Sequence, residues 1–331
     1  MSEPQVAMVT GARLRHILRA SLILWGLVIG LTAVGRMIPS AQVAFESHRQ
    51  RESELYLLDV AHGIEVNISR RPRHDDHAPA WSPDGKRLVF QSLPMFTMRF
   101  NLQMLYQMDA RSRQGAYVAM PANLTVSSPS WSPNGRYIAF AARSTSMRYN
   151  DIFAVNVVNG RLTRLSNTPD LPESSPVWSP DGRFIAYVGY DWAAAAPNDV
   201  RVVPFVDSVL RLAQQVQLGV QIITEEPFAR DPMWTPDGQQ LLFILERGTS
   251  ALYTSDVALN TPDERVNERL LYIEEPELSA DGEWLLFATA DNRADAWRRL
   301  AVMRPDGSGF RYITGVSQIS GQRDTAPTWR P

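Results

Sequence analysis

The sequence predicts an all-β protein, a six-bladed β-propeller of four-stranded antiparallel blades, on three observations. A unit of the form Pro-x-Trp-Ser-Pro-Asp-Gly recurs, its spacing is nearly constant, and the two chain ends hold complementary fragments of one more unit. Copies start at Pro79, Pro129, Pro176 and Pro232, with a degenerate copy at Pro276 and a last one at Pro327. From Trp81 through Trp131, Trp178, Trp234 and Leu278 to Trp329 the steps are 50, 47, 56, 44 and 51 residues. A period of roughly 50 residues in short apolar runs marks a radial repeat.

Each element has a local cause. Three or four residues ending on Trp read as a strand. Ser-Pro-Asp-Gly then reads as a tight turn, with proline presetting φ, Asp suiting the second central position and Gly tolerating positive φ. The turn aspartates are Asp84, Asp181, Asp237 and Asp281, with Asn134 in the second copy. A run such as Arg87-Leu88-Val89-Phe90 follows, the pattern of a buried strand. The large indoles of Trp81, Trp131, Trp178, Trp234 and Trp329 suit the seam between one sheet and the next.

A third strand, such as Asp151–Asn156 or Arg299–Arg304, precedes a turn at His62-Gly63, Asn159-Gly160 or Asp306-Gly307. Short fourth strands such as Arg161–Leu165 then complete a blade. The third unit carries an insertion, Val206 to Ile223, expected to lengthen its last hairpin. Gln42–Ser47 reads like Arg87–Ser92, a second strand without a first, while Thr328-Trp329 is a first strand without a second. The ends are therefore expected to share the sixth blade, which covers both free sheet edges.

Residues 1–19 read as a polar cytoplasmic tail with Arg13, Arg15 and Arg19, and Ala20–Gly35 is free of charge. The span 20–38 is expected to be a transmembrane signal anchor, with its flanking arginines snorkelling and the excess of basic residues on the N-terminal side. That orientation puts residues 42–331 outside the cytoplasm, on a single-pass protein. A cleaved signal peptide ending near Pro39-Ser40-Ala41, with a secreted or periplasmic product, is the alternative.

Composition narrows the chemistry. A formal charge of −2 gives no footprint for nucleic acid. The absence of cysteine excludes disulfides, thiolate metal sites and thiol nucleophiles. The one lysine, Lys86, sits in a repeat turn, which argues against Schiff-base catalysis. No Gly-x-Ser-x-Gly nucleophile elbow is present.

The repeated Pro-x-Trp-Ser-Pro-Asp-Gly-Lys/Arg-x-Ile/Leu-x-Phe, with the hairpin Pro305-Asp306-Gly307-Ser308-Gly309, resembles the TolB-like β-propeller repeat over roughly residues 42–331. The resemblance implies a six-bladed propeller of the bacterial envelope that works by binding proteins or other ligands. The α/β domain that precedes the propeller in the family's namesake has no counterpart expected in this sequence.

In a propeller the residues just ahead of each first strand ring one mouth of the central channel. The positions three and two before each repeat proline are Asp76 and His77, Val126 and Ser127, Glu173 and Ser174, Ala229 and Arg230, Ile273 and Glu274, Asp324 and Thr325. Four carboxylates and one histidine are expected to converge there, opposed by Arg230. Such a mouth suits a protein or glycan partner, a solvated rim, or a cation such as calcium. His74-Asp75-Asp76-His77, expected in a loop, carries the alternative of a metal site at His74, Asp76 and His77. With Glu173 these residues would make a metal-assisted lyase or hydrolase. The leading expectation is a non-catalytic binding scaffold without a cofactor.

Overall fold

The computed structural model describes residues 41–49, 52–95, 103–121, 123–168, 170–190, 198–205, 221–222, 228–246, 250–257, 264–266, 272–290, 297–314 and 323–331. The expected tail and anchor, residues 1–19 and 20–38, lie outside them, as does most of the expected insertion. No helix among the described residues is long and apolar enough to cross a membrane.

The turn after each tryptophan folds as its residues demand. In the first, the Gly85 N–H donates to the Ser82 carbonyl at 2.8 Å, with Gly85 at φ 63°. Ser82 Oγ donates to Asp84 Oδ1 at 2.6 Å and accepts from the Arg87 N–H, while Asp84 Oδ1 accepts from the Lys86 N–H. The turns around Asn134, Asp181, Asp237 and Asp281 repeat this network.

These turns join the first two strands of each blade. Blade one is β4 (His74–Trp81), β5 (Arg87–Pro94), β6 (Met104–Asp109) and β7 (Gly115–Tyr117). Blade two is β8 (Leu124–Trp131), β9 (Tyr137–Ser144), β10 (Asp151–Asn156) and β11 (Leu162–Arg164). Blade three is β12 (Glu173–Trp178), β13 (Phe184–Tyr190), β14 (Asn198–Pro204) and β15 (Gln221–Ile222). Blade four is β16 (Ala229–Trp234), β17 (Gln240–Glu246), β18 (Ser250–Asp256) and β19 (Glu264–Arg265). Blade five is β20 (Glu274–Leu278), β21 (Leu285–Thr289), β22 (Arg299–Met303) and β23 (Arg311–Tyr312). Each is an antiparallel sheet in sequence order.

Blade six closes the ring. Its order is β24 (Arg323–Trp329), β1 (Gln42–His48), β2 (Glu54–Asp59) and β3 (Ile64–Asn67). Val43 pairs with Trp329 and Ala44 with Thr328, so the C-terminal strand is the inner strand of a sheet begun at the N-terminus.

The core is divided into six apolar clusters, one between each pair of neighbouring blades. The second-strand aromatics Phe45, Phe90, Phe140, Tyr187, Phe243 and Phe287 are all fully buried. The tryptophans sit at the seams as expected. Trp178 Nε1 donates to the Ser130 carbonyl of the preceding blade at 3.1 Å, and Trp234 Nε1 to that of Val177 at 3.3 Å.

The first strands differ from expectation. They run five to eight residues, not three or four, and continue upstream through the repeat proline. The residue before each proline has positive φ: Ala78, Ser128, Ser175, Asp231, Glu275 and Ala326, all between 45° and 52°. A register shift accompanies it in every blade. The bulge absorbs the N–H that proline lacks, so the ladder resumes on either side of it. His74–His77 therefore lies on β4 and not in the expected loop.

Candidate functional site

The bulges sort the expected mouth residues by position. Three places before the proline, Asp76, Val126, Glu173, Ala229, Ile273 and Asp324 are all buried. Asp76, Glu173 and Asp324 thus do not ring the mouth, because strand alternation turns them into the blades. Asp76 takes a 3.2 Å hydrogen bond from Arg71, and burial raises its pKa against the pull of Ser92 and Arg71. Glu173 accepts from the Ser166 and Thr168 hydroxyls and from the Ile152 N–H, and burial pushes its pKa up to about 7. Asp324 accepts from Ser47 Oγ at 2.6 Å, with Arg49 at 3.7 Å. All three are structural.

Two places before the proline, His77, Arg230 and Glu274 are partly exposed. His77 Nδ1 lies 3.0 Å from Glu46, which also meets His48 and accepts from Ser53 Oγ and the Ala78 N–H. Arg230 donates to Glu246 at 3.2 Å and to the Ile273 carbonyl at 2.6 Å, and it also pairs with Asp231. Glu274 is gripped by Arg298 through two hydrogen bonds of 2.7 and 2.9 Å. Burial works against ionisation of Glu274, but Arg298, with Arg323 and Arg230, holds its pKa below the ordinary value. A cavity of about 560 Å³ opens between Glu46, Arg230, Glu246, Glu274 and Arg298. Arg230 and Glu274 line that cavity, and His77, Arg230 and Glu274 each have an oppositely charged partner within the protein.

The channel wall itself is built one place before the proline. Ala78, Ser128, Ser175, Asp231, Glu275 and Ala326, with the adjoining prolines, line a cavity of about 380 Å³. Glu277 lines it one step deeper. No lysine or arginine is part of that lining. Glu275 accepts from the Ala326 N–H at 2.6 Å and Glu277 from the Trp329 N–H at 2.9 Å, so blade five grips the first strand of blade six.

Glu275 is exposed on the channel wall. Desolvation there, with Glu46, Asp231 and Glu274 nearby, pushes its pKa up to about 7. Burial does the same for Glu277, against its bonds to Thr328 and Trp329. The channel is thus acidic on one side, with two carboxyls poised to change charge near neutrality.

Asp231, Glu275 and Glu277 were missed because the expected mouth was counted two and three residues ahead of the proline. The usable signal was the proline inside a strand, which implies a bulge and a side chain turned inward. For the metal alternative, His74 and Asp76 are on blade one and Glu173 on blade three. His74 contacts the Pro72 carbonyl, while His77 turns to Glu46. Among the described residues no group of three or more His, Asp or Glu side chains is arranged to hold a metal ion.

Residues 38–193 match the TolB beta propeller domain family. A search of curated proteins gives no match. Among solved structures, TolB from Acinetobacter baumannii superposes with a TM-score of 0.68 at 16% identity, over 88% of this chain and 67% of that one. A putative TolB from Agrobacterium tumefaciens gives 0.64 at 17% identity, over 88% and 99%. A nidogen/laminin complex gives 0.64 at 10% identity, over 88% and 98%. At these identities the likeness is one of fold.

Proposed function

This chain is a TolB-like six-bladed β-propeller, and from that premise we propose that it is a non-catalytic scaffold receiving a basic segment of a protein partner at its channel mouth. One observation carries the reading. Glu275 and Glu277 converge on a channel whose lining has no basic residue, while the arginines at the mouth are already paired, Arg230 with Asp231 and Glu246 and Arg298 with Glu274. A narrow, low-dielectric opening lined by one sign of charge concentrates the field on an entering cation. A guanidinium or ammonium entering it would also draw the protons off Glu275 and Glu277 and so make its own counter-ions.

We further propose that residues 20–38 hold the propeller at the outer face of the cytoplasmic membrane. The charge-free run and the arginines ahead of it support that placement.

The test is a photo-cross-linking amino acid at Ser175, on the channel rim, in the full chain in cells. Adducts to a partner through an Arg- or Lys-rich segment, reduced several-fold in Glu275→Gln/Glu277→Gln and by added salt, are the expected result. Adducts indifferent to both would overturn the reading. Protease accessibility of the propeller in spheroplasts, against none in intact cytoplasm, tests the placement.

A further inference from the structure

The same place in each blade, two residues further along the second strand than the partner of the mouth residue, is filled differently around the ring. It is Leu93 in blade one, Arg143 in blade two, Tyr190 in blade three, Glu246 in blade four, Ala290 in blade five and His48 in blade six. Where it is polar, it is answered inside the protein in three blades. Tyr190 meets Ser174, Glu246 meets Arg230, and His48 meets Glu46 and Ser53. Of the four polar side chains, Arg143 alone has neither a hydrogen bond nor an ion pair among the described residues.

What surrounds Arg143 is a built pocket. On β9, Ala139 and Ala141 pack toward blade three, so Arg143, two residues on, projects from the same face. Thr125 lies directly opposite Arg143 and Ser127 opposite Ala141, which puts both hydroxyls on that face as well. Tyr149, Asn150 and Gln103 close the rim of a cavity of about 350 Å³. The size falls within the range of small-molecule sites.

Its walls are fixed by backbone bonds to both neighbours. The Gln103 carbonyl accepts from Val126 at 3.1 Å, and that of Asn150 from Glu173 at 3.1 Å. No carboxylate lines the cavity. The nearby acids are engaged elsewhere, Asp151 with Arg164 and Glu173 with Ser166 and Thr168.

We infer that this cleft on blade two, bordered by Gln103 next to β6 of blade one and Pro172 next to β12 of blade three, is a second binding site, for a small polyhydroxylated carboxylate of the acidic-sugar class. The unpaired guanidinium offers a two-pronged contact to a carboxylate. Three hydroxyls and two amides supply the mixed donors and acceptors that a ring of hydroxyl groups requires. The Tyr149 ring carries the Arg148 guanidinium 5.1 Å from its centroid. The site is separate from the channel and of opposite charge, so it does not depend on the channel reading.

The experiment is calorimetric titration of the full chain with D-glucuronate, D-glucose and acetate. Glucuronate is expected to bind, with glucose and acetate at least about tenfold weaker, since each lacks one half of the recognition. Arg143→Gln, a surface change that leaves the core untouched, is expected to weaken glucuronate about tenfold or more. Thr125→Val provides a second, smaller loss. No glucuronate binding, acetate binding as tight as glucuronate, or binding indifferent to Arg143→Gln would each overturn the proposal.

Discussion

Ser47 Oγ donates a 2.6 Å hydrogen bond to Asp324 across 277 residues of chain. Both groups are fully buried, and the bond lies in the one blade whose strands come from opposite ends of the sequence. Ring closure is thus a polar contact as well as a ladder. Arg49 adds its charge at 3.7 Å and packs over Tyr56 at 4.3 Å.

Replacing Asp324 with Ala is expected to cost about 2 kcal/mol, because it leaves the buried Ser47 hydroxyl without its acceptor, while Arg49 keeps Glu65 and its bond to Ser47. Ser47→Ala is expected to cost less, about 1 kcal/mol, since Asp324 keeps Arg49. The double variant should fall short of the sum. Urea unfolding of the four proteins checks this, and additive losses would count against the contact.

The seams make a second prediction. Trp178 is nearly buried, packs against Tyr137 and Phe205, and reaches back to the Ser130 carbonyl. Trp178→Ala is expected to lose about 3–5 kcal/mol, through cavity formation and an orphaned carbonyl. Trp178→Leu should recover about half, because the chain already tolerates Leu278 at the matching place in blade five. Denaturant midpoints measure both; a leucine variant as unstable as the alanine one would show that the indole bond dominates over filling volume.

Much of this was legible in the residues because it is local and repeated. Pro-Asp-Gly dictates a turn wherever it falls, and six copies leave one way to close. The closure itself could be read because Gln42–Ser47 copies Arg87–Ser92 and needs a first strand. The channel wall was not, because a proline was taken as a strand boundary when it marks a bulge. Ala78 to Ala326 all turn inward by a left-handed residue that L side chains seldom adopt, and only repetition makes that affordable. Asp76, Glu173 and Asp324 were misplaced for the same reason, since one residue of slip exchanges the faces of a strand. The bonds from Leu55, Ile152 and Leu300 N–H to Ser69, Ser166 and Thr314 hydroxyls had a signal that went unread, a Ser or Thr two residues after the fourth strands of blades six, two and five.

The raised carboxyls predict a fall in stability with rising pH. Glu277 and Glu173 ionise near 4.5 when unfolded and at about 7 when folded. Between these values the folded chain holds more protons than the unfolded one, so stability declines across that window. Glu277→Gln keeps an acceptor for the Trp329 N–H and removes the proton. It is expected to gain on the order of 1 kcal/mol at pH 8 and nothing at pH 4.5. Urea titrations at the two pH values decide it; an equal change at both would mean that Glu277 is already ionised in the native state.

His77 predicts a dependence of the same direction from a different cause. Burial opposes its protonation, but the hydrogen bond and charge of Glu46, with Asp75 and Asp76 behind, win and raise its pKa above 6.5. Glu46 is in turn held below its ordinary pKa, against burial, by His77 and His48. A raised histidine stabilises fully below its unfolded pKa and loses that contribution as pH climbs through the folded value. The His77–Glu46 pair ties β4 of blade one to β1 of blade six, so it sits on the closing seam. The ring of His48 lies 6.1 Å from that of His77, so any charge on His48 would trim the gain below neutrality. His77→Gln is therefore expected to cost about 1 kcal/mol more at pH 6 than at pH 9, a difference visible in paired denaturation curves. Equal losses at the two pH values would make the contact one of shape alone.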